Sequence, residues 1–264
     1  MTTPIRLFQV DAFTHRLFGG NPAAVCPLEA WLPDQTLQAI AAENNLSETA
    51  FLVPSSADGA DYEIRWFTPT AEVDLCGHAT LASGHVLFNV LGFDKQTVRF
   101  GSKSGPLDVV REDDVLVLDF PSRPPVPAVF PDGIESALGV RPLEYLSGDM
   151  QVAVLADETA VRGTQPDLRY IARHAGGSLI VTAEGENCDF VSRYFAPHVG
   201  IDEDPVTGSA HCVLTPFWAK RLGKQRLTAR QVSKRGGDLV CELAGDRVRI
   251  AGQAVLYLEG AIRA

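Results

Sequence analysis

RWFTPTAEVDLCGHATLASGHVLFNVLG occupies residues 65–92, and RYFAPHVGIDEDPVTGSAHCVLTPFWAKRLG occupies residues 193–223. The opening pentapeptides, RWFTP and RYFAP, share three of five positions at an offset of 128, and the aromatic pair in each matches in kind. Downstream, residues 77–92 align with 208–223 at an offset of 131, so a small loop insertion separates the two blocks. Only four of those 16 positions are identical, namely Gly77/Gly208, Ala79/Ala210, Leu91/Leu222 and Gly92/Gly223. Their placement is what matters: glycine at both ends of an apolar stretch of helical length is the pattern of a buried helix with a C-terminal glycine cap. The chain therefore reads as an internal duplication, the alternative being a coincidence between two ordinary strand-to-helix units. A helix apolar on most faces has to be surrounded. Each half is accordingly expected to be a curved, barrel-like sheet around its own central helix, an α+β fold.

The rest of the chain fits two lobes. Its 264 residues suit two domains better than one. Expected strands are 5–10, 50–53, 61–67, 97–100, 179–182, 189–195, 247–250 and 254–258, and residues 34–44 read as a helix. The proline-rich 121–131, PSRPPVPAVFP, is expected to form neither helix nor ladder and to link a first lobe, 1–120, to a second, 121–253. The balance of 23 basic against 33 acidic residues, net −10, repels nucleic acid and anionic membrane surfaces. No apolar run reaches the length of a bilayer span, and the opening MTTPIRLFQVDAF lacks the regions of a secretory leader. Five scattered cysteines suit a reducing compartment, so a cytoplasmic protein is expected. Neither Cys76 with His78 nor His211 with Cys212 has a spacing that directs two ligands to one metal, and no phosphate-loop or dinucleotide fingerprint occurs. No metal and no cofactor are expected.

In each half a strand runs into a glycine-led turn and then into the buried helix, at Gly77 and at Gly208. The first N–H groups of a helix lack internal partners and carry partial positive charge, so two such ends facing a shared cleft would hold a small anionic substrate. The alternative is that these glycines only permit close packing. Glu48, in NNLSETAFLV, has Gly176 as its counterpart at the 128 offset, so the shared fold does not require a carboxylate there. Apolar Leu46, Ala50 and Phe51 would desolvate it and raise its pKa into the range of a general acid/base; alternatively it pairs with an arginine such as Arg65 or caps a turn. His78 reads as a proton shuttle whose pKa is lowered by the helix end, or as a packed neutral histidine. Asp204 reads as a group that orients His78 or binds a substrate amine, or as a turn aspartate. His85 reads as a satisfied core histidine.

VDAFTHRLFGGNPAAV (10–25), NNLSETAFLV (44–53), RWFTPTAEVDLCGHATLASGHVLF (65–88) and GIDEDPVTGSAHCVL (200–214) together resemble the phenazine-biosynthesis PhzF-like isomerases, of the diaminopimelate epimerase-like fold. The resemblance runs from end to end. It implies two duplicated lobes with the active site between them, a last strand, 254–264, that returns to the first lobe, and a homodimer. It implies a cofactor-independent hydrogen shift like that of trans-2,3-dihydro-3-hydroxyanthranilate isomerase. Glu48 would be the proton carrier, His78 and Asp204 catalytic partners, and Gly77, Gly208 and Ser209 the substrate-binding groups. Epimerases of this fold place a cysteine before each helix; here the first position is Cys76 but the second is Thr207, whose hydroxyl is too weak an acid. That favours a hydrogen shift over racemisation. An epimerase using Cys76 and Glu48 as an unlike pair, and a carboxylate-binding protein without turnover, are the alternatives.

Overall fold

The two copies of the motif fold alike because each supplies the same series of turn signals and apolar runs. A computed structural model describes residues 4–56 and 59–264; the first three residues of the stretch read for a leader lie outside the described residues. The chain divides into two compact units, residues 1–119 with 251–264, and residues 120–250.

In the first unit the strands are β1 (Ile5–Ala12), β2 (Asn21–Pro27), β3 (Glu48–Pro54), β4 (Tyr62–Phe67), the short β5 (Glu72–Val73), β6 (Thr97–Gly101), β7 (Leu107–Glu112) and β8 (Val115–Pro121). β1 pairs antiparallel with both β2 and the closing strand Ala254–Ile262. β2–β3 is parallel, β3–β4 antiparallel, β4–β6 parallel, and β6–β7 and β7–β8 antiparallel, with β5 laid against the end of β4. Helix α1 (Asp34–Asn44) connects β2 to β3, and α2 (Gly77–His85) connects β5 to β6.

The second unit begins with the short β9 (Val126–Pro127), followed by β10 (Glu144–Ser147), β11 (Gln151–Val154), β12 (Leu179–Glu184), β13 (Phe190–Ala196), β14 (Ile201–Asp204), β15 (Arg226–Gln231), β16 (Gly237–Ala244) and β17 (Arg247–Gly252). Its helices are α3 (Ile134–Leu138), α4 (Glu158–Gly163), α5 (Leu168–His174) and α6 (Gly208–Leu222). The orientations of β1 to β7 recur in order in β10 to β16: antiparallel, parallel, antiparallel, a short antiparallel addition, parallel, antiparallel. That recurrence is the duplication seen as topology.

Register corrects one sequence alignment. Thr49 faces Phe67 across β3–β4, and Leu179 faces Phe195 across β12–β13. Phe67 and Phe195 are the same position of the repeated pentapeptide, so the counterpart of Glu48 is Ser178 rather than Gly176. The offset shifts by two because the connection from β3 to β4 is two residues longer than that from β12 to β13. The carboxylate remains peculiar to the first unit.

Burial explains the two central helices. Every residue of α2 from His78 to Gly84 is buried, and the helix packs against β1, β2, β3 and β7. Gly84 is required there, since a Cβ would lie 2.7 Å from Val109 Cγ1 on β7. One π turn, Val86–Val90, extends α2 before Gly92 at φ +74° ends it. In α6 the ring of Pro216 removes an amide from the helix, and the freed carbonyl of Cys212 accepts a bond from Arg123 N at 3.0 Å. Trp218 on the same helix stacks on Phe190 at 5.8 Å and donates its Nε1–H to Thr182 Oγ1 at 3.0 Å.

Two sequence readings change here. The proline-rich segment was expected to pair with nothing, yet Val126 and Pro127 form β9 against Ser147 and Leu146, and Ala128 N donates to Tyr145 O at 2.9 Å. Proline lacks a donor but keeps its carbonyl and an extended φ, which suffices for a two-residue edge ladder. His85 is half-buried at the last position of α2 with Nδ1 3.0 Å from Asn89 Nδ2, so it is satisfied but not in the core. Among the described residues no helix is long and apolar enough to cross a membrane.

Candidate active site

Parallel pairing puts the first residues of β2 and β3 at the same end of the sheet, Ala23 lying opposite Glu48. Asn21 and Glu48 therefore start neighbouring strands beside the N-terminus of α2. The turn into α2 runs through Cys76 in an extended conformation (φ −144°, ψ 112°) and enters the helix at Gly77. Neither α2 nor α6 is closed at its start by a side-chain cap, so the first N–H groups of both carry the partial positive charge of an open helix end.

His78, the second residue of α2, is 4% exposed. Its Nε2 lies 3.2 Å from Glu48 Oε2, and its Nδ1 lies 3.2 Å from Asn21 Nδ2 and 3.5 Å from Cys76 Sγ. Burial lowers its pKa to about 3, so the ring is neutral at ordinary pH. The sequence reading placed the cause of such a shift in the helix end; desolvation is the cause in the structure. Arg65, the alternative partner for Glu48, is taken instead by Glu72 at 2.7 Å and Asp34 at 2.9 Å. The Glu48 side chain is 13% exposed, enough to reach a ligand while shielded from bulk water.

In the second unit, Thr207 Oγ1 donates to Asp204 Oδ2 at 2.5 Å. Gln231, fully buried on β15, accepts from Thr207 N at 2.8 Å and donates to the carbonyl of Asp204 at 2.7 Å and to Thr207 Oγ1 at 3.1 Å. Asp204 thus fastens the turn into α6. Gly208 is buried and Ser209 half-buried at the start of that helix. His211 donates from Nδ1 to Thr207 O at 2.8 Å, and burial takes its pKa down to about 4.

Sequence reasoning passed over Asn21 and Gln231. Asn21 lay in the quoted GGNPAAV stretch without a role, and Gln231 sits in an ordinary alternating strand with no local signal. The structure also adds a third potential metal donor that spacing could not reveal: ligand atoms of Glu48, Cys76 and His78 lie within 4.8 Å of one another, and this is the one such trio among the described residues. Their arrangement fits a metal poorly, since Glu48 faces one ring nitrogen and Cys76 the other, and a single nitrogen cannot join both to one ion.

Duplicated sheets around buried central helices place a carboxylate beside a neutral imidazole at an open helix start, and the relatives that the chain matches are named isomerases, so it is an isomerase-type enzyme. The chain belongs to the phenazine biosynthesis-like protein family, whose sequence pattern matches residues 10–260. It is 54% identical over 260 residues to an uncharacterized isomerase of Pseudomonas aeruginosa, with 98% of each chain covered. A crystal structure of a phenazine biosynthesis PhzF-family protein from Enterococcus faecalis superposes with TM-score 0.95 at 46% identity, covering 99% of this chain and 100% of that one. A hydroxyproline epimerase from Agrobacterium vitis, 12% identical with TM-score 0.67 and covering 100% of this chain and 94% of its own, shares the fold alone.

Proposed function

We propose that the protein is a cofactor-independent isomerase that moves a proton between two carbons of a small carboxylate substrate, with Glu48 as the acid/base. Glu48 removes an acidic C–H proton, the open N-terminus of α2 at Gly77 and the Nε2 side of His78 stabilise the charge that develops, and the same carboxyl group returns the proton to a different carbon. The observation that carries this reading is Glu48 Oε2 lying 3.2 Å from a buried, neutral His78 and not bound to Arg65. A carboxylate beside a neutral imidazole can exchange a proton with a substrate; one locked to a guanidinium cannot. The proposal keeps Asp204 as a catalytic partner and Gly77, Gly208 and Ser209 as substrate-binding groups, with Ser209→Ala expected to raise KM more than it lowers kcat.

Epimerisation by Cys76 and Glu48 is less well supported. Two groups working on opposite faces of one carbon each need to stand about 3–3.5 Å from it, hence roughly 6–7 Å apart, whereas these donor atoms lie within 4.8 Å of each other. The test is incubation with a panel of small cyclic and linear carboxylates in D₂O, with C–H exchange followed by NMR. Exchange or migration with the wild type and its loss in Glu48→Gln supports the proposal; inversion at a stereocentre would replace it with the epimerase, and binding without exchange with a non-catalytic protein.

A further inference from the structure

A neutral imidazole holds one proton on two nitrogens, and what faces each nitrogen decides where the proton sits. Asn21 is fully buried and His78 almost so. The group 3.2 Å from His78 Nδ1 is the Asn21 amide nitrogen, which can only donate. The Cys76 sulfur, 3.5 Å from the same Nδ1, adds a second donor when it is a thiol. On the far side of the ring, Nε2 faces Glu48 Oε2 at 3.2 Å.

We propose that Asn21 is the positioning residue that holds His78 as its Nε2–H tautomer, so that the ring always turns an N–H toward Glu48 and never carries the reaction's proton itself. The opposite amide orientation would place the Asn21 carbonyl against Nδ1, force the proton there, and set the Nε2 lone pair against the carboxylate. In a buried site two facing acceptors repel. A proton on Nε2 instead points the positive end of an N–H dipole at the carboxylate 3.2 Å away, which favours the charge a resting base needs. β2 and β3 are adjacent and parallel, so the strand that carries Glu48 is held in register with the strand that carries Asn21. The inference deepens the proposed role of Glu48 and rests on that reading for its catalytic meaning, but its test needs no substrate.

The test is a long-range ¹H–¹⁵N correlation spectrum of the histidine rings in uniformly labelled protein at neutral pH, with His78→Gln used to assign the His78 signals. The wild type is expected to show a protonated Nε2, an unprotonated Nδ1, and a scalar coupling between the Asn21 amide nitrogen and Nδ1 across their hydrogen bond. Asn21→Asp, which replaces the donor by an acceptor of the same size, is expected to move the proton to Nδ1, and Asn21→Leu to populate both tautomers. A wild-type spectrum with Nδ1 of His78 protonated, or one that lacks the coupling, overturns the proposal without either Asn21 variant having to fold; so does an Nε2–H tautomer unchanged in both Asn21 variants. Were Glu48→Gln to keep full exchange activity while the tautomer proved as described, the role of Glu48 would fail and the positioning by Asn21 would stand.

Discussion

Lowering the pH should withdraw stability from the fold through His78, and the sign follows from its burial. Its ordinary pKa of 6.5 falls to about 3 in the folded chain. Between those values the unfolded chain binds a proton that the folded chain does not, so stability rises with pH. The full contribution is present above 6.5 and is lost as pH falls toward about 3, at a slope approaching about 1.4 kcal/mol per pH unit. Over the whole window that is on the order of 5 kcal/mol, and between pH 6.5 and 5 about 2 kcal/mol. The assay is urea unfolding from pH 8 to 5 on the wild type and on His78→Gln, whose amide can still donate toward Glu48. The buried His211 titrates alike in both and cancels in the comparison. The stability difference between the two proteins should shift by about 2 kcal/mol against the wild type as pH falls to 5. Parallel curves would mean that His78 keeps its ordinary pKa in the fold, and a shift in favour of the wild type that it is charged beside Glu48 as half of an ion pair; either would refute the neutral-ring reasoning.

Glu48→Gln should lower turnover about 10²–10⁴-fold with the circular dichroism spectrum and unfolding midpoint little changed, because Gln keeps an acceptor opposite His78 Nε2. Gln231→Leu deprives the buried Thr207 N–H of its partner and should cost about 1–3 kcal/mol in urea unfolding. Gly84→Ala forces a methyl to 2.7 Å from Val109 and should cost about 1–3 kcal/mol by the same measurement; Gly84→Ala with Val109→Ala should recover part of the loss. Alkylation of the native protein should reach the half-buried Cys188 before Cys26, Cys212 and Cys241, whose thiols burial pushes up to about 12, as read by peptide mass spectrometry.

The elements legible in the sequence were those with strong local pattern. The 34–44 helix matches residue for residue, and the eight strands named from alternation are all present, six of their sixteen ends unmoved and the others moved by one to four residues. The repeated glycine–apolar–glycine blocks are the two buried helices, with Gly92 and Gly223 at positive φ where they end. What pattern could not give is register and partner choice. The β3–β4 connection is two residues longer than the β12–β13 one, so a fixed offset matched Glu48 to Gly176 when strand pairing matches it to Ser178. Val126 and Pro127 become a strand only because β10 offers an edge. Asn21 and Gln231 are ordinary amides in ordinary strands, and their importance comes from what lies 24 to 57 residues away along the chain.

The proton's path is the most direct test of the account. A substrate identified by the exchange screen should be deuterated at the donor carbon and its product examined by NMR for position and face of the label. One carboxylate that lifts and returns a proton should leave deuterium at the acceptor carbon on the face from which it was taken, and should leave none there in Glu48→Gln. Delivery to the opposite face by the wild type would require a second acid and would contradict Glu48 as the carrier.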